Sequence, residues 1–255
     1  TGRHAIVTGG GHGIGAAIAK VLARAGATIS LMGRRIDLME QTARQLTRRH
    51  KVDVHTFECD VANPDSVTRA FGMSLSKLGD PYILVNNAGD SEGAAFAVTS
   101  LALWNRMLAV NLTSTFLCTH EVLPLMIDAK AGRIINIAST AGLKGYTRVT
   151  AYCSAKHGVV GFTRALAIEV ALLGITVNAI CPAYTEGEMS ERAMDAIARA
   201  RDITREEARK KMERLIPIGR LIKPDEVAAA ALWLCSDDAA AITGQAIAVA
   251  GGEVQ

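Results

Sequence analysis

The chain has 255 residues, of which 49% are hydrophobic and 4% are aromatic, and its formal net charge is +3. This length and composition suit one globular domain with a large aliphatic core, and they exclude a disordered or collagen-like chain. The charge is too small to indicate a nucleic-acid partner, so we interpret the basic residues between positions 44 and 51 as a solvated helix face.

The five cysteines are odd in number, widely spaced and without a CxxC pair. Neither a disulfide framework nor a zinc site is indicated, and the histidines also lack metal-ligand spacing, so we expect no metal. No signal-peptide pattern opens the chain, and its apolar stretches are interrupted before they reach membrane-spanning length. The sequence therefore predicts a cytoplasmic protein with no membrane partner.

Short apolar or β-branched runs alternate with longer segments of helical periodicity. Between the first two runs, apolar residues share one helical face and Gly26 supplies a stop signal, which is typical of a βαβ unit. The predicted strands are residues 5–8, 28–32, 54–58, 83–86, 133–138, 176–180 and 246–249.

Strands that alternate with helices indicate an α/β fold with a mainly parallel sheet, because parallel neighbours need crossover connections and the crossover helices cover both faces. No linker divides the pattern, so we expect a single domain over residues 1–255. The one irregular region, about residues 183–217, contains a charged, helix-prone run from 194 to 215. We interpret this region as a substrate loop or lid and not as a second domain.

A glycine-rich turn, TGGGHGIG, follows the first predicted strand and opens a helix. Its backbone amides and the helix N-terminus could bind a phosphate, whereas the alternative is a flexible turn that only needs positive φ. His12 either contacts a phosphate or is an ordinary surface histidine. The candidate nucleotide-binding residues of this turn are Gly9, Gly11, His12, Gly13, Ile14 and Gly15.

Three further stretches lie where parallel sheets bind their ligands, at the carboxyl ends of strands. NNAG covers residues 86–89, NIAS ends at Ser139, and YCSAK covers residues 152–156. Together with Asn111 in AVNLTS, the ordered set TGxxxGxG, NNAG, Asn, Ser and YxxxK resembles the short-chain dehydrogenase/reductase family over almost the whole chain. The resemblance implies a Rossmann-like, doubly wound, seven-stranded parallel sheet, a nicotinamide cofactor, and a homotetramer or dimer.

The candidate catalytic residues form a set that can transfer a proton. Tyr152 and Lys156 are four residues apart, so on a helix they share one face, and a nearby cation lowers the pKa of a phenol. Tyr152 could then exchange a proton with a ketone oxygen that Ser139 also binds. The resemblance implies that Lys156 reaches the nicotinamide ribose and that Asn111 positions a water. The alternative is an ordinary structural role for each residue.

The end of the second predicted strand bears on the choice of cofactor. An acid at this position usually binds the ribose hydroxyls of NAD, but here the chain has Arg34 and Arg35. Guanidinium groups can pair with a 2′-phosphate, so the sequence favours NADP(H) over NAD(H), against the alternative of two solvated loop residues.

Further cofactor contacts follow from the resemblance. It implies that Asp60 and Val61 lie at the adenine, although Asp60 could also be a simple turn residue, and that Asn87, Ala88 and Gly89 line the adenosine ribose. Pro182 and Thr185 are the candidates beside the nicotinamide.

The chain departs from the family pattern in this last stretch. The family has Pro-Gly followed by three residues and Thr, whereas here Ala183 replaces the Gly, Gly187 stands at the Thr position, and Thr185 is two residues early. We expect either Thr185 or backbone amides to replace the usual contact, or the loop to become ordered with ligand.

These features predict an NADP(H)-dependent oxidoreductase that interconverts a ketone and a secondary alcohol. The stretches INIASTAGLKG, SAKHGVVGFTRAL and IPIGRLIKPDEVA are similar to 3-oxoacyl thioester reductases and aromatic polyketide ketoreductases, which favours a small-molecule β-keto substrate such as a 3-oxoacyl thioester. One alternative is a catabolic dehydrogenase of a hydroxyacyl-CoA or a cyclic alcohol. A second is a catalytically silent nucleotide-binding regulator on the same fold.

Overall fold

The structure is a computed structural model that describes residues 2–254. Its seven strands form one sheet in the order β3-β2-β1-β4-β5-β6-β7, and every neighbouring pair is parallel. This confirms the predicted Rossmann-like single domain, and the predicted strand ends differ from the observed ones by at most two residues. The strands are β1 (His4–Thr8), β2 (Thr28–Gly33), β3 (Val54–Glu58), β4 (Pro81–Asn86), β5 (Gly132–Ile137), β6 (Ile175–Pro182) and β7 (Ala246–Val249).

Helices connect successive strands and cover the sheet on both sides. The first helix, α1, ends at Arg24, two residues before the predicted stop Gly26, which has φ +87°. The helices are α1 (Gly13–Arg24), α2 (Ile36–His50), α3 (Pro64–Leu78), α4 (Leu101–Leu108), α5 (Ser114–Ala129), α6 (Thr150–Val170), α7 (Glu188–Arg201), α8 (Arg205–Glu213) and α9 (Pro224–Leu234).

Two apolar layers result from the alternation of side chains along the strands. In β1, Ala5 and Val7 belong to the layer that contains α1, α2 and α9, whereas Ile6 faces the layer of α3, α5 and α6. All three side chains are fully buried. Strands buried on both faces are hydrophobic throughout, which is why the sequence shows continuous apolar runs and no polar alternation.

The predicted lid region contains two helices where the sequence predicted one continuous run from 194 to 215. The first helix, α7, already begins at Glu188, and the chain then turns at Asp202, whose φ is +50°. Thr204 starts α8 with a capping box, in which its hydroxyl and backbone pair with Glu207. A capping box satisfies free amides at a new helix start, and this explains the division of the run.

A buried hydrogen-bond network joins the two central strands to the helices beneath the site. Asn86 Nδ2 on β4 donates to Asn136 Oδ1 on β5 at 2.9 Å and to Thr119 Oγ1 on α5 at 3.0 Å. Asn136 Nδ2 donates in turn to Thr163 Oγ1 on α6 at 2.9 Å. The network fixes α5 and α6 relative to the carboxyl ends of β4 and β5.

Replacing Asn136 by alanine should lower the free energy of unfolding by about 1–3 kcal/mol, because it leaves buried partners without hydrogen bonds. Urea unfolding followed by circular dichroism measures this. Asn105, exposed on α4, provides the matched control, and Asn105→Ala should change stability little. Equal effects of the two substitutions would contradict the structural role of the network.

Candidate active site

The glycine turn and the end of β4 meet where the strand order reverses, between β1 and β4. Asn87 Nδ2 donates to the carbonyl oxygens of Thr8 at 2.9 Å and of Gly9 at 3.2 Å. Thr8 Oγ1 accepts hydrogen bonds from the amides of Asn87 and Ala88, each at 3.0 Å. This is the crevice in which doubly wound sheets bind ligands.

The glycines of the turn are required by close backbone contacts. A Cβ on Gly15 would lie 2.2 Å from the Gly9 carbonyl oxygen, and Gly9 itself has φ +64°. A Cβ on Gly11 would lie 3.0 Å from the Met39 side chain. The sequence left open whether the glycines serve only the turn, and the contacts show that they also let the start of α1 approach Asn87, the residue after β4.

The start of α1 fits a phosphate-bearing cofactor. His12 is the N-cap residue, and its side chain makes no capping hydrogen bond, so the side chain leaves the first amides of the helix uncapped. Uncapped amides and the positive end of the helix dipole form a donor set suited to a phosphate. His12 instead directs its ring towards Arg35 and Glu188.

Ser139, Tyr152 and Lys156 come together at the carboxyl end of β5. Ser139 follows the strand, and Tyr152 and Lys156 lie one turn apart on α6. Lys156 is buried, and its Nζ donates to the Ile137 carbonyl oxygen at 2.9 Å and lies 5.7 Å from the centroid of the Tyr152 ring. The structure therefore brings the three predicted catalytic residues into one group.

Asn111 joins this group through an irregular helical turn. Residues Ala109–Thr113 form a π-helix, and Asn111 Nδ2 donates to the carbonyl oxygens of Met107 at 3.0 Å and Asp90 at 2.9 Å. A Cβ on Gly89 would lie 2.7 Å from Asn111 Oδ1 and 3.6 Å from Lys156 Nζ. Gly89 therefore allows the NNAG segment to pass directly over Asn111 and Lys156. Such π-turns occur frequently at functional sites.

Burial controls the protonation of the two titratable residues. It raises the pKa of Tyr152 to about 12, against the opposing effect of the Ser139 side chain. It also lowers the pKa of Lys156 to about 8. Lys156 Nζ binds the Ile137 carbonyl oxygen, and the expectation that Lys156 lowers the pKa of Tyr152 stays a prediction. Tyr152 is therefore a neutral phenol at neutral pH.

The predicted cofactor residues Arg34, Arg35, Asp60 and Val61 follow the carboxyl ends of β2 and β3. Arg34 and Arg35 are both exposed at the end of β2. Asp60 forms a turn in which its carboxylate accepts the Ala62 amide at 3.0 Å, while Val61 is buried. The Asp60 carboxylate thus stabilises a turn, which is the alternative role that the sequence left open for this residue.

The backbone conformation explains why the chain departs from the family pattern after β6. Gly187 has φ +145°, a conformation in which a threonine would be strained. Pro182 ends β6, and the Thr185 hydroxyl donates to the Ala183 carbonyl oxygen at 3.0 Å, while Thr185 pairs with Ile222 in a parallel bridge. Thr185 is therefore held by its own loop.

Two groups of residues at the site were missed by sequence reasoning. Glu188 and Arg192 on α7 reach across the crevice to Arg35 and Asp90, respectively. Glu253 is buried and accepts a hydrogen bond from Tyr146 at 2.6 Å. Each partner lies more than 100 residues away in the chain, so no local pattern indicates these contacts.

No group of three or more His, Cys, Asp or Glu side chains among residues 2–254 could hold a metal ion. Within the same residues, no helix is long and apolar enough to cross a membrane. The five cysteines are buried free thiols.

Comparisons with known proteins show which proteins the whole chain is similar to. A family model described as enoyl-(acyl carrier protein) reductase matches residues 9–253. The chain is 44% identical over 250 residues to the granaticin polyketide synthase putative ketoacyl reductase 1 of Streptomyces violaceoruber, covering 97% of this chain and 92% of that protein. It is 37% identical over 251 residues to the 3-oxoacyl-(acyl-carrier-protein) reductase FabG of Aquifex aeolicus, covering 98% and 97%.

A solved structure is similar over the same extent. The crystal structure of a variant of actinorhodin polyketide ketoreductase with NADPH has a TM-score of 0.95 to this chain at 37% identity, and the match covers 98% of this chain and 97% of that one. Similarity along the whole chain cannot come from a shared nucleotide-binding turn alone. The chain therefore belongs to the short-chain dehydrogenase/reductase family, and it is an oxidoreductase that acts on a CH–OH or C=O group.

Proposed function

We propose that the protein uses NADPH to reduce the ketone of a 3-oxoacyl thioester or a similar β-keto compound to a secondary alcohol. The observation that carries the proposal is the grouping of a neutral Tyr152 phenol with Ser139 and Lys156 at the carboxyl end of β5. The printed names of the two relatives, a ketoacyl reductase and a 3-oxoacyl reductase, support the substrate class.

The protonation states favour the direction of reduction. When bound, the nicotinamide cofactor would supply a hydride to the carbonyl carbon. Tyr152 donates its phenolic proton to the carbonyl oxygen, and the Ser139 hydroxyl donates a hydrogen bond to the same oxygen and stabilises its developing charge. Lys156 holds the nicotinamide ribose, and Asn111 connects Lys156 with solvent protons. Tyr152 is protonated at neutral pH, as a tyrosine with an ordinary or raised pKa is, so it carries the proton that the reduction consumes.

The cofactor would lie along the crevice from the glycine turn to β6. The exposed Arg34 and Arg35 bind the 2′-phosphate that distinguishes NADPH from NADH, and the crystal structure of the actinorhodin ketoreductase with NADPH supports this cofactor. The remaining cofactor residues are Gly9, Gly11, His12, Gly13, Ile14, Gly15, Asp60, Val61, Asn87, Ala88, Gly89, Pro182 and Thr185, together with Tyr152 and Lys156. The segment 183–217 acts as the lid over the substrate.

Exposed apolar side chains on α5 and α6 support a homo-oligomer, a tetramer or a dimer. Phe116 on α5, Ile168 on α6 and Leu172 just after α6 are 50%, 82% and 99% exposed. The same helices bury other apolar residues, such as Val122 and Leu166, against the sheet. Helices that are apolar on two faces need a second surface to cover them.

The central test measures NADPH oxidation with acetoacetyl-CoA as the acceptor. Tyr152→Phe should lower turnover by about 10²- to 10⁴-fold, because the proton donor is lost, while NADPH still binds. Tyr82→Phe is the matched control, since Tyr82 lies near the amino end of β4. Near-normal turnover in Tyr152→Phe would exclude Tyr152 as the acid. Absence of turnover in the unaltered chain with acetoacetyl-CoA and other β-keto compounds would favour the silent regulator.

The two reaction directions should differ in pH dependence between pH 6 and 7, where Lys156 remains mostly charged because its pKa is about 8. Alcohol oxidation needs the phenolate, whose fraction rises about tenfold per pH unit below the pKa of Tyr152, whereas reduction uses the phenol, which is fully present. Values of kcat/KM for acetoacetyl-CoA reduction should thus stay flat while those for 3-hydroxybutyryl-CoA oxidation rise. A plateau of the oxidation rate below pH 7 would show that Tyr152 titrates near neutrality.

Arg34→Gln should weaken NADPH binding by about tenfold or more, since a charge-assisted hydrogen bond to phosphate is lost, and should leave NADH binding unchanged. Titration followed by nicotinamide fluorescence gives both Kd values. Arg24→Gln, on the last turn of α1, is the control and should alter neither. Tighter binding of NADH than of NADPH by the unaltered chain would refute the cofactor assignment.

Light scattering should give a mass two or four times the 27.0 kDa of the chain. The double substitution Ile168→Glu and Leu172→Glu should shift this mass towards the monomer, because charges would enter an apolar contact. Met73→Glu, at an exposed position on α3, should have no such effect. A monomeric unaltered protein would overturn the proposed assembly.

A further inference from the structure

The first turn of α7 reaches across the crevice to the glycine turn. Glu188 Oε2 lies 2.8 Å from Arg35 Nη2 and 3.1 Å from His12 Nε2. The Arg35 and His12 side chains also contact each other. The Glu188 carboxylate from the lid region thus contacts two side chains, Arg35 and His12, that belong to the proposed cofactor site.

The Glu188 carboxylate reduces the positive charge that Arg35 presents to a ligand. The neighbouring Arg35 guanidinium holds the pKa of Glu188 below its usual value, so Glu188 is charged at neutral pH. The positive charge of Arg35 is therefore already paired, and an approaching phosphate meets a negative charge beside it. Like charges at such short range disfavour binding.

A ligand can nevertheless replace Glu188 as the partner of Arg35. About half of each side chain is exposed to solvent, at 47% for both Arg35 and Glu188. Exposed ion pairs of this kind contribute only about 0–1 kcal/mol to stability. A phosphate also forms charge-assisted hydrogen bonds with a guanidinium and carries more negative charge than a carboxylate, so it can replace the carboxylate.

We propose that Glu188 is an internal competitor of the cofactor's 2′-phosphate, which pairs with Arg35 in the free protein and is displaced when NADPH binds. The proposal rests on the proposed function, in which this end of the crevice binds NADP(H). Glu188 acts through Arg35 and is therefore a positioning residue, and it lowers the affinity for NADPH relative to that for NADH. Because Glu188 begins α7, its displacement also releases this end of the lid from the glycine turn.

Other contacts hold α7 after Glu188 has left. Arg192 Nη2 lies 2.5 Å from Asp90 Oδ1 at the other side of the crevice. Met194 on the same helix is buried in the apolar layer of α1 and α9. A substitution at Glu188 therefore leaves the helix anchored, and its effect on cofactor binding can be measured in a folded protein.

The test compares Glu188→Gln with the unaltered chain in titrations with NADPH and NADH. Glu188→Gln should lower the Kd for NADPH roughly threefold or more, as expected from removal of an exposed ion pair, and should change the Kd for NADH less. The fragments 2′,5′-ADP and 5′-AMP should show the same difference. Glu191→Gln is the matched control, because Glu191 lies on the same helix and pairs with Arg205 of α8, away from the crevice. Glu191→Gln should leave the Kd values of both dinucleotides and both fragments unchanged.

A double-substitution cycle separates charge pairing with Arg35 from a merely structural role. In an Arg35→Gln background, Glu188→Gln should improve NADPH binding clearly less, because no guanidinium remains to be freed and only the like charge beside the phosphate is removed. An equal gain in both backgrounds would overturn the proposal. Weaker or unchanged NADPH binding in the single variant Glu188→Gln would overturn it as well.

The same titrations distinguish this inference from the proposed function. An unaltered chain that binds NADH more tightly than NADPH contradicts the proposed cofactor. In that case a shift of the NADPH to NADH ratio by Glu188→Gln still supports competition at Arg35, and an unshifted ratio overturns it. A chain that binds neither dinucleotide nor either fragment overturns both.

Discussion

Close packing between the glycine turn and the end of β4 is the contact on which the site depends. The Gly15 position approaches the Gly9 carbonyl to a distance that no side chain permits, and Asn87 joins both strand ends through hydrogen bonds to Thr8 and Gly9. This packing places the uncapped start of α1 beside the NNAG segment. The proposed phosphate-binding and catalytic parts of the crevice are thereby held in one rigid arrangement, as preorganised sites require.

The catalytic group depends on burial as much as on residue identity. Gly89 lets the backbone pass over Asn111 and Lys156, and Lys156 is buried, whereas Tyr152 keeps some exposure. Burial favours neutral forms, so it stabilises the phenol of Tyr152 and makes the ammonium of Lys156 easier to deprotonate. The environment of each side chain therefore acts on its protonation together with the spacing of the two residues on α6.

Charges on α7 connect the lid with both ends of the crevice. Glu188 pairs with Arg35 at the end of β2, and Arg192 pairs with Asp90 after β4. Both ion pairs are partly exposed and therefore weak, so they orient α7 without fixing it in one position. The lid is thus anchored by buried residues such as Met194, while its polar contacts remain free to exchange with ligands.

The sequence by itself determined the positions of the seven strands and the parallel sheet, and it singled out Ser139, Tyr152 and Lys156 as candidates, because strand periodicity, glycine spacing and helical i to i+4 spacing are local properties. It also indicated that the first helix stops near Gly26. The sequence could not determine the split of the lid into α7 and α8, the protonation of Tyr152 or the partners of Arg35. Only the tertiary structure decided these, because burial and ion pairing depend on which distant segments the packing brings together.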